Sequence, residues 1–193
     1  YYFIDDTDSL ILNGADLTGE IPLQIGNLTN LIVLSLVDNP LLTGPIPMEI
    51  GNLVNLTHLT LSDNDLIGQI PFTLGFLANV ELKTGMYKLT HLDLSHNQLT
   101  EDIEYQLMEL GGSLTYLDLS HNQITGQIPR TGFTGNEPGI GDLKYLNTLY
   151  LNHNQFTGDI PPRIGNLNYL TKLQLNDNQF TGVPEGYLSL IHI

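Results

Sequence analysis

Apolar residues return along this chain in one fixed pattern, L-x-x-L-x-L-x-x-N-x-L-x-G-x-I-P-x-x-I-G-x-L. It is cleanest in LTHLDLSHNQLTEDI (89–103), LTYLDLSHNQITGQIP (114–129), LNTLYLNHNQFTGDIP (146–161) and LTKLQLNDNQFTGVP (170–184). LTHLTLSDNDLIGQIP (56–71) follows it too. LIVLSLVDNPLLTGPIP (31–47) does so with one extra residue, and SLILNGADLTGEIP (9–22) is a degenerate copy. Seven copies of one period over 9–186 predict a single solenoid domain spanning 1–193, in which each repeat packs on its neighbours.

The L-x-L core of each copy alternates as a strand does, so its two leucines share one face. Leu34 and Leu36, Leu92 and Leu94, and Leu117 and Leu119 are therefore expected inside, with the residues between them facing water. So short a strand cannot bury its face alone; stacked copies form a parallel sheet over one continuous core. Next comes an Asn column: Asn39, Asn64, Asn97, Asn122, Asn154 and Asn178. There the chain leaves the strand, and a buried amide satisfies backbone groups left unpaired by the turn, in its own coil and the next. Ala15 takes this place in the first copy, as a terminal coil with one neighbour allows. Gly19, Gly44, Gly68, Gly126, Gly158 and Gly182 form a column of permissive backbone, and the following Ile-Pro step favours extended chain.

The skeleton, with its L-x-G-x-I-P signature, resembles the leucine-rich repeat family in its plant extracellular form. The resemblance implies an α/β solenoid: a right-handed superhelix with a concave parallel β-sheet. A short second strand and convex 3₁₀ or helical turns would follow, the turns around Ile25-Gly26, Ile50-Gly51 and Ile164-Gly165. It further implies recognition without chemistry, as in receptor ectodomains and polygalacturonase-inhibiting proteins.

Spacing along the Asn column measures regularity. It is 25 residues from Asn39 to Asn64 and from Asn97 to Asn122, and 24 from Asn154 to Asn178. It is 33 from Asn64 to Asn97 and 32 from Asn122 to Asn154. Insertions near 78–87 and 131–139 account for the excess and are expected as loops or lengthened convex segments.

Composition narrows the function. The chain holds 21 acidic and 6 basic residues, a net charge of −15. That disfavours nucleic acid, whose phosphates need clustered Lys and Arg, and adhesion to an anionic membrane. No apolar run approaches the ~20 residues of a membrane span, so direct membrane insertion is not expected. The sequence begins at Tyr1 without a signal peptide and has no Cys. The family's cysteine-bearing caps are therefore missing from it, which suggests part of a longer array or ends covered by neighbouring subunits. An extracellular or cell-surface location follows from the resemblance, although the lack of Cys weighs against it. Asn27-Leu-Thr and Asn55-Leu-Thr are glycosylation sequons, both inside a segment the repeat already demands.

Alternation also sorts the water-facing side into rows. Before the first strand Leu stand Ser9, Val33, His58, His91, Tyr116, Thr148 and Lys172; between the leucines stand Ile11, Ser35, Thr60, Asp93, Asp118, Tyr150 and Gln174. Ahead of the Asn column stand Gly14, Asp38, Asp63, His96, His121, His153 and Asp177. With strands about 4.8 Å apart, His58, His91, Asp93, His96, Tyr116, Asp118, His121, Tyr150 and His153 converge on one concave patch. Tyrosine offers contact area with a polar handle, and carboxylates and imidazoles offer hydrogen bonds. This patch is the expected ligand-binding site, for a protein, peptide or polysaccharide. Parallel projection from a flat sheet argues against a metal site for the three stacked histidines, and no cofactor motif is present. No nucleophile elbow, HExxH helix or phosphate loop appears, and Asp93 and Asp118 lack a cleft, so the expectation is not an enzyme. Two alternatives stand beside recognition. One is a structural subunit of a larger assembly. The other is ice binding through the row Thr18, Thr43, Thr100, Thr125, Thr157 and Thr181, which Ile67 interrupts.

Overall fold

The computed structural model describes residues 7–75, 88–103, 105–130 and 138–182. Each L-x-L segment forms one short strand, and the strands lie side by side in chain order as a seven-stranded parallel sheet. They are β1 (Ser9–Ile11), β3 (Val33–Ser35), β5 (His58–Thr60), β7 (His91–Asp93), β9 (Tyr116–Asp118), β10 (Thr148–Tyr150) and β12 (Lys172–Gln174). Register is strict: Leu10, Leu34, Leu59, Leu92, Leu117, Leu149 and Leu173 pair in sequence across the sheet.

Past the Asn column a second set of strands forms, β2 (Thr18–Glu20), β4 (Asn39–Pro45), β6 (Asn64–Gly68) and β8 (Gln98–Leu99) in one sheet. A separate pair follows, β11 (Thr157–Asp159) with β13 (Gln179–Gly182). The Ile-Pro step then delivers the chain into 3₁₀ turns at Leu23–Asn27, Met48–Asn52 and Pro162–Asn166, on the positions the repeat marks. Others occur at Phe72–Leu74, Tyr105–Gly112 and Ile140–Asp142. The preceding prolines, Pro22, Pro47 and Pro161, sit at φ between −70° and −61° with extended ψ, which their rings favour. The 3₁₀ turns need more lateral room than strands, so the stack bends with the strand face inside.

Between the two sides lies one apolar core. Leu34, Leu59, Leu92, Leu94, Leu117, Leu119, Leu149 and Leu151 are almost wholly buried, each worth about 1.5–3 kcal/mol of transfer free energy. Phe156 replaces the leucine after the Asn column, and its ring lies parallel to Phe180 of the next coil at 6.3 Å.

The Asn column is a ladder, but it points backwards relative to the sequence expectation: each amide serves its own coil and the preceding one. Oδ1 of Asn122 accepts Leu99 N–H at 2.9 Å, while Nδ2 donates to the carbonyls of Leu94, Leu119 and Ser120. Asn64, Asn97, Asn154 and Asn178 repeat this arrangement. Asn39 does the same for the first coil, its Oδ1 taking the N–H groups of Ala15 and Leu17 at 3.0 Å each. The direction follows from geometry: the turn after each strand swings its Asn toward the coil already laid down.

Of the two insertions, 78–87 lies outside the described residues, as do 131–137. The ends of the second meet, since Ile140 N–H donates to the Pro129 carbonyl at 2.8 Å.

Candidate functional site

Strand register brings the expected patch together. On the outer row His58, His91 and Tyr116 are opposite one another on β5, β7 and β9, and their rings stack in turn at 5.5 and 4.1 Å. Tyr116 meets Tyr150 edge-on at 6.2 Å. On the next row Asp93 and Asp118 are register partners, followed by Tyr150.

The two carboxylates are not free surface groups, and here the expectation of solvated side chains between the leucines is corrected. Asp118 is only 8% exposed and Asp93 is half-buried, because flanking rings cover the row. Each carboxylate is tied down locally. Asp93 Oδ1 accepts the N–H and hydroxyl of Ser95 at 3.0 and 2.7 Å; Asp118 Oδ1 accepts those of Ser120 at 2.9 and 2.6 Å. Asp118 Oδ2 also receives the Tyr116 hydroxyl at 3.2 Å. Burial pushes the Asp93 carboxyl above its usual range against the opposing Ser95 bonds. Burial, then the charges of Asp118 and Asp93, push the Tyr116 phenol up as well. His91 is lowered by burial and by His58, more than Asp93 and Asp118 raise it.

A second band runs beside the Asn ladder. His96, His121 and His153 stack ring on ring at 4.1 and 4.2 Å, and His153 Nε2 lies 3.2 Å from Asp177 Oδ2. Burial and its two imidazole neighbours lower His121. Stacked rings project in parallel rather than converge, and among the described residues no group of three or more His, Cys, Asp or Glu is placed to hold a metal. Backbone explains why only certain residues occur in this row. Asp38, Asp63, His96, His121, His153 and Asp177 all have φ between 52° and 59°. Asp and His, with Asn, enter that left-handed region more readily than other non-glycine residues.

One further row, not among the candidate rows above, is the residue following the second strand leucine: Ser62, Ser95, Ser120 and Asn152, all buried. Its signal was present in the recurring D-L-S, whose i,i+2 spacing puts a hydroxyl beside a carboxylate on one strand face. In the sixth copy Tyr150 replaces the Asp and Asn152 the Ser, and the Asn152 Oδ1 is buried without a hydrogen-bond partner among the described residues.

The remaining candidates lie elsewhere. In the Thr row, Thr157 donates to the Gly126 carbonyl and Thr181 to Asp159, and the sheet beneath the row divides between β8 and β11. Asn27 is exposed at the end of its 3₁₀ turn, whereas the Asn55 amide is engaged: Nδ2 donates to the Thr29 carbonyl at 2.9 Å and Oδ1 accepts Lys88 Nζ at 2.8 Å. No helix among the described residues is long and apolar enough to cross a membrane.

Comparison with known proteins agrees with this architecture. Family models described as leucine-rich repeat match residues 79–124, and 30–53, 55–77 and 145–167, together more than half of the chain. Among solved structures, the ectodomain of the receptor kinase GASSHO1/SCHENGEN3 from Arabidopsis thaliana is 35% identical. It covers 91% of this chain with a TM-score of 0.79, and was solved in complex with CASPARIAN STRIP INTEGRITY FACTOR 2. The Arabidopsis receptor kinase HAESA, in complex with the peptide hormone IDA and the co-receptor SERK1, is 36% identical over 86% of this chain, with a TM-score of 0.73. A leucine-rich repeat protein of Leptospira interrogans is 33% identical over 93%, with a TM-score of 0.67. The alignment spans 19% of the first of these chains, 24% of the second and 40% of the third. No curated protein sequence matches significantly.

Proposed function

We propose that this chain, which belongs to the leucine-rich repeat family, is a non-enzymatic recognition module. Its ligand is an extended peptide or protein segment laid across the concave sheet face. The observation that carries this reading is the in-register aromatic and acidic patch of β7, β9 and β10, where Tyr116 meets Tyr150 edge-on and binds Asp118, and Asp93 and Tyr150 stand on either side of Asp118. Rigid amphipathic rings beside ordered hydrogen-bonding groups are what peptide recognition uses. Peptide-hormone complexes among similar ectodomains support the same choice. They also support an extracellular location, since those relatives are ectodomains of plant membrane receptors. A polysaccharide would use the same tyrosines, and is the second reading. Work as an assembly subunit would not call for this patch.

The test is selection of binders from a random peptide library on the intact protein, followed by affinity measurement with Tyr116→Ala/Tyr150→Ala. Losses of about 100-fold, on the scale of two hot-spot aromatics, are expected. Binders that retain full affinity for the double variant would place recognition elsewhere on the molecule.

A further inference from the structure

Two carboxylates and a buried amide oxygen stand on β7, β9 and the end of β10. Asp93 and Asp118 are opposite each other, yet among the described residues neither pairs with Lys or Arg; the ion pairs are Arg130–Asp159, His153–Asp177 and Arg163–Asp142. Lys172, the basic residue of the strand face, stands two strands beyond Tyr116, with Thr148 between. Asp93 Oδ1 is taken by Ser95, and among the described residues Oδ2 receives no hydrogen bond. Asn152 follows Tyr150 by two residues and so shares its face. The bond from His121 N–H to the Asn152 carbonyl sets it beside Ser120, diagonal to Asp118. Asn152 is 5% exposed, and its Oδ1 has no donor among the described residues. A buried acceptor without a partner costs about 1–3 kcal/mol; this one lies one strand from Asp118 and two from Asp93, neither of which has a cation among the described residues. The Tyr116 hydroxyl binds Asp118, and its ring meets that of Tyr150, the register partner of Asp118, edge-on at 6.2 Å.

We infer that this spot is a subsite for a guanidinium group, supplied by an arginine of the bound peptide. The inference rests on the concave-face reading above and names the chemistry that face selects. A guanidinium is planar and carries five donors, stays charged at every relevant pH, and stacks on aromatic faces. It supplies donors to the Asp118 carboxylate and, once Tyr150 moves aside, to Asn152 Oδ1 one strand away, while Asp93 adds negative charge from the strand on the other side, and its plane meets a tyrosine ring. Ammonium supplies charge but neither the plane nor the fork. A net charge of −15 favours the approach of such a ligand over a long range.

The experiment titrates the 193-residue protein with a blocked pentapeptide holding one central arginine, up to about 10 mM, the range in which single-residue contacts are read. Its citrulline, lysine and glutamate counterparts are run alongside, and backbone amide shifts are followed by NMR. The arginine peptide shifts the amides of Ser95, Ser120 and Asn152; citrulline, the same shape without charge, binds about tenfold more weakly, and lysine lies between. Asp93→Asn keeps an oxygen for Ser95 and so keeps the fold, yet lowers the arginine affinity about tenfold. Asn152→Ala lowers it without changing charge. Equal binding of arginine and citrulline, shifts scattered over acidic residues elsewhere, or full affinity in Asp93→Asn would overturn the subsite. Library binders that need Tyr116 and Tyr150 but no arginine would overturn it too while leaving the recognition reading intact.

Discussion

The hydroxyl of Tyr116 donates to Oδ2 of Asp118, two residues farther along the same strand, at 3.2 Å. Alternation puts both side chains on one face, and the ring then shields the carboxylate that its hydroxyl binds. A carboxylate 8% exposed is thereby held without any cationic partner among the described residues. Tyr116→Phe is expected to cost about 1 kcal/mol, the net value of one intramolecular hydrogen bond. The same change in an Asp118→Asn background should cost less. A double-mutant cycle from denaturant unfolding reads the difference, and a coupling of zero would show that the pair contributes no stability.

The Asn ladder sets the largest single-residue effect. Asn122→Ala leaves Leu99 N–H and the Leu94 carbonyl without their partner inside the stack, at about 1–3 kcal/mol for each buried group. A total loss of about 4 kcal/mol is expected. Asn178 is only partly buried, and its replacement by Ala should cost about half as much, since water can stand in. Equal losses at the two sites would contradict the burial argument.

Glu101 takes the place of glycine in the fourth copy and holds φ at 64°. Left-handed backbone costs a non-glycine residue about 1–2 kcal/mol, and glycine returns about half of that through its freer unfolded chain. Glu101→Gly is therefore expected to stabilise by about 0.5–1 kcal/mol. Gly126→Ala should destabilise, because the new Cβ would meet the Asp102 Cβ at 2.6 Å in addition to the strain at φ 76°. Thermal midpoints of the two variants should move in opposite directions.

Protonation works against the histidine rows. His91 and His121 have lowered values in the fold, the first through burial and then His58, the second through burial and then His96 and His153. A depressed histidine binds its proton less readily when folded than when unfolded. Stability is accordingly full above the unfolded value of about 6.5 and declines as pH falls below it. Asp93 has the opposite sign: its raised value means that the cost of its charge is relieved as pH falls through the folded value toward 3.8. Denaturation midpoints at pH 7.5 and pH 5.5 should differ less in His91→Gln/His121→Gln than in the parent. A midpoint that rises on acidification over that interval would reverse the assignment.

The two sequons differ in what a glycan would disturb. Asn27 offers an exposed amide, while a sugar on Asn55 would crowd its bonds to Thr29 and Lys88. After secretion from a glycosylating host, peptide mass spectrometry is expected to show higher occupancy at Asn27 than at Asn55. The reverse order would mean that the folded surroundings of these residues do not govern modification.

Much of this was legible in the sequence because a solenoid spends one strand per period. Once the L-x-L pairs are aligned, period-two alternation fixes which residues share a row and which rows face the core. Asp93 beside Asp118 and His96 beside His121 followed from counting alone. The Asn column and the Ile-Pro steps into 3₁₀ turns were equally local, each set by the needs of backbone groups within one coil. Tertiary structure decided what depends on the coils before and after. Asp118 is flanked by Tyr116 of its own coil and by Tyr150, its register partner in the next, and that second neighbour is one its own repeat does not encode. The left-handed row became visible only as backbone angles, since Asp, His and Gly there read as ordinary surface choices. The reversed direction of the Asn bonds and the lone acceptor of Asn152 came from the path of one coil over another. Period and alternation are properties of a chain in one dimension; burial, pairing and charge are set by neighbours about a repeat away in sequence and one strand away in space.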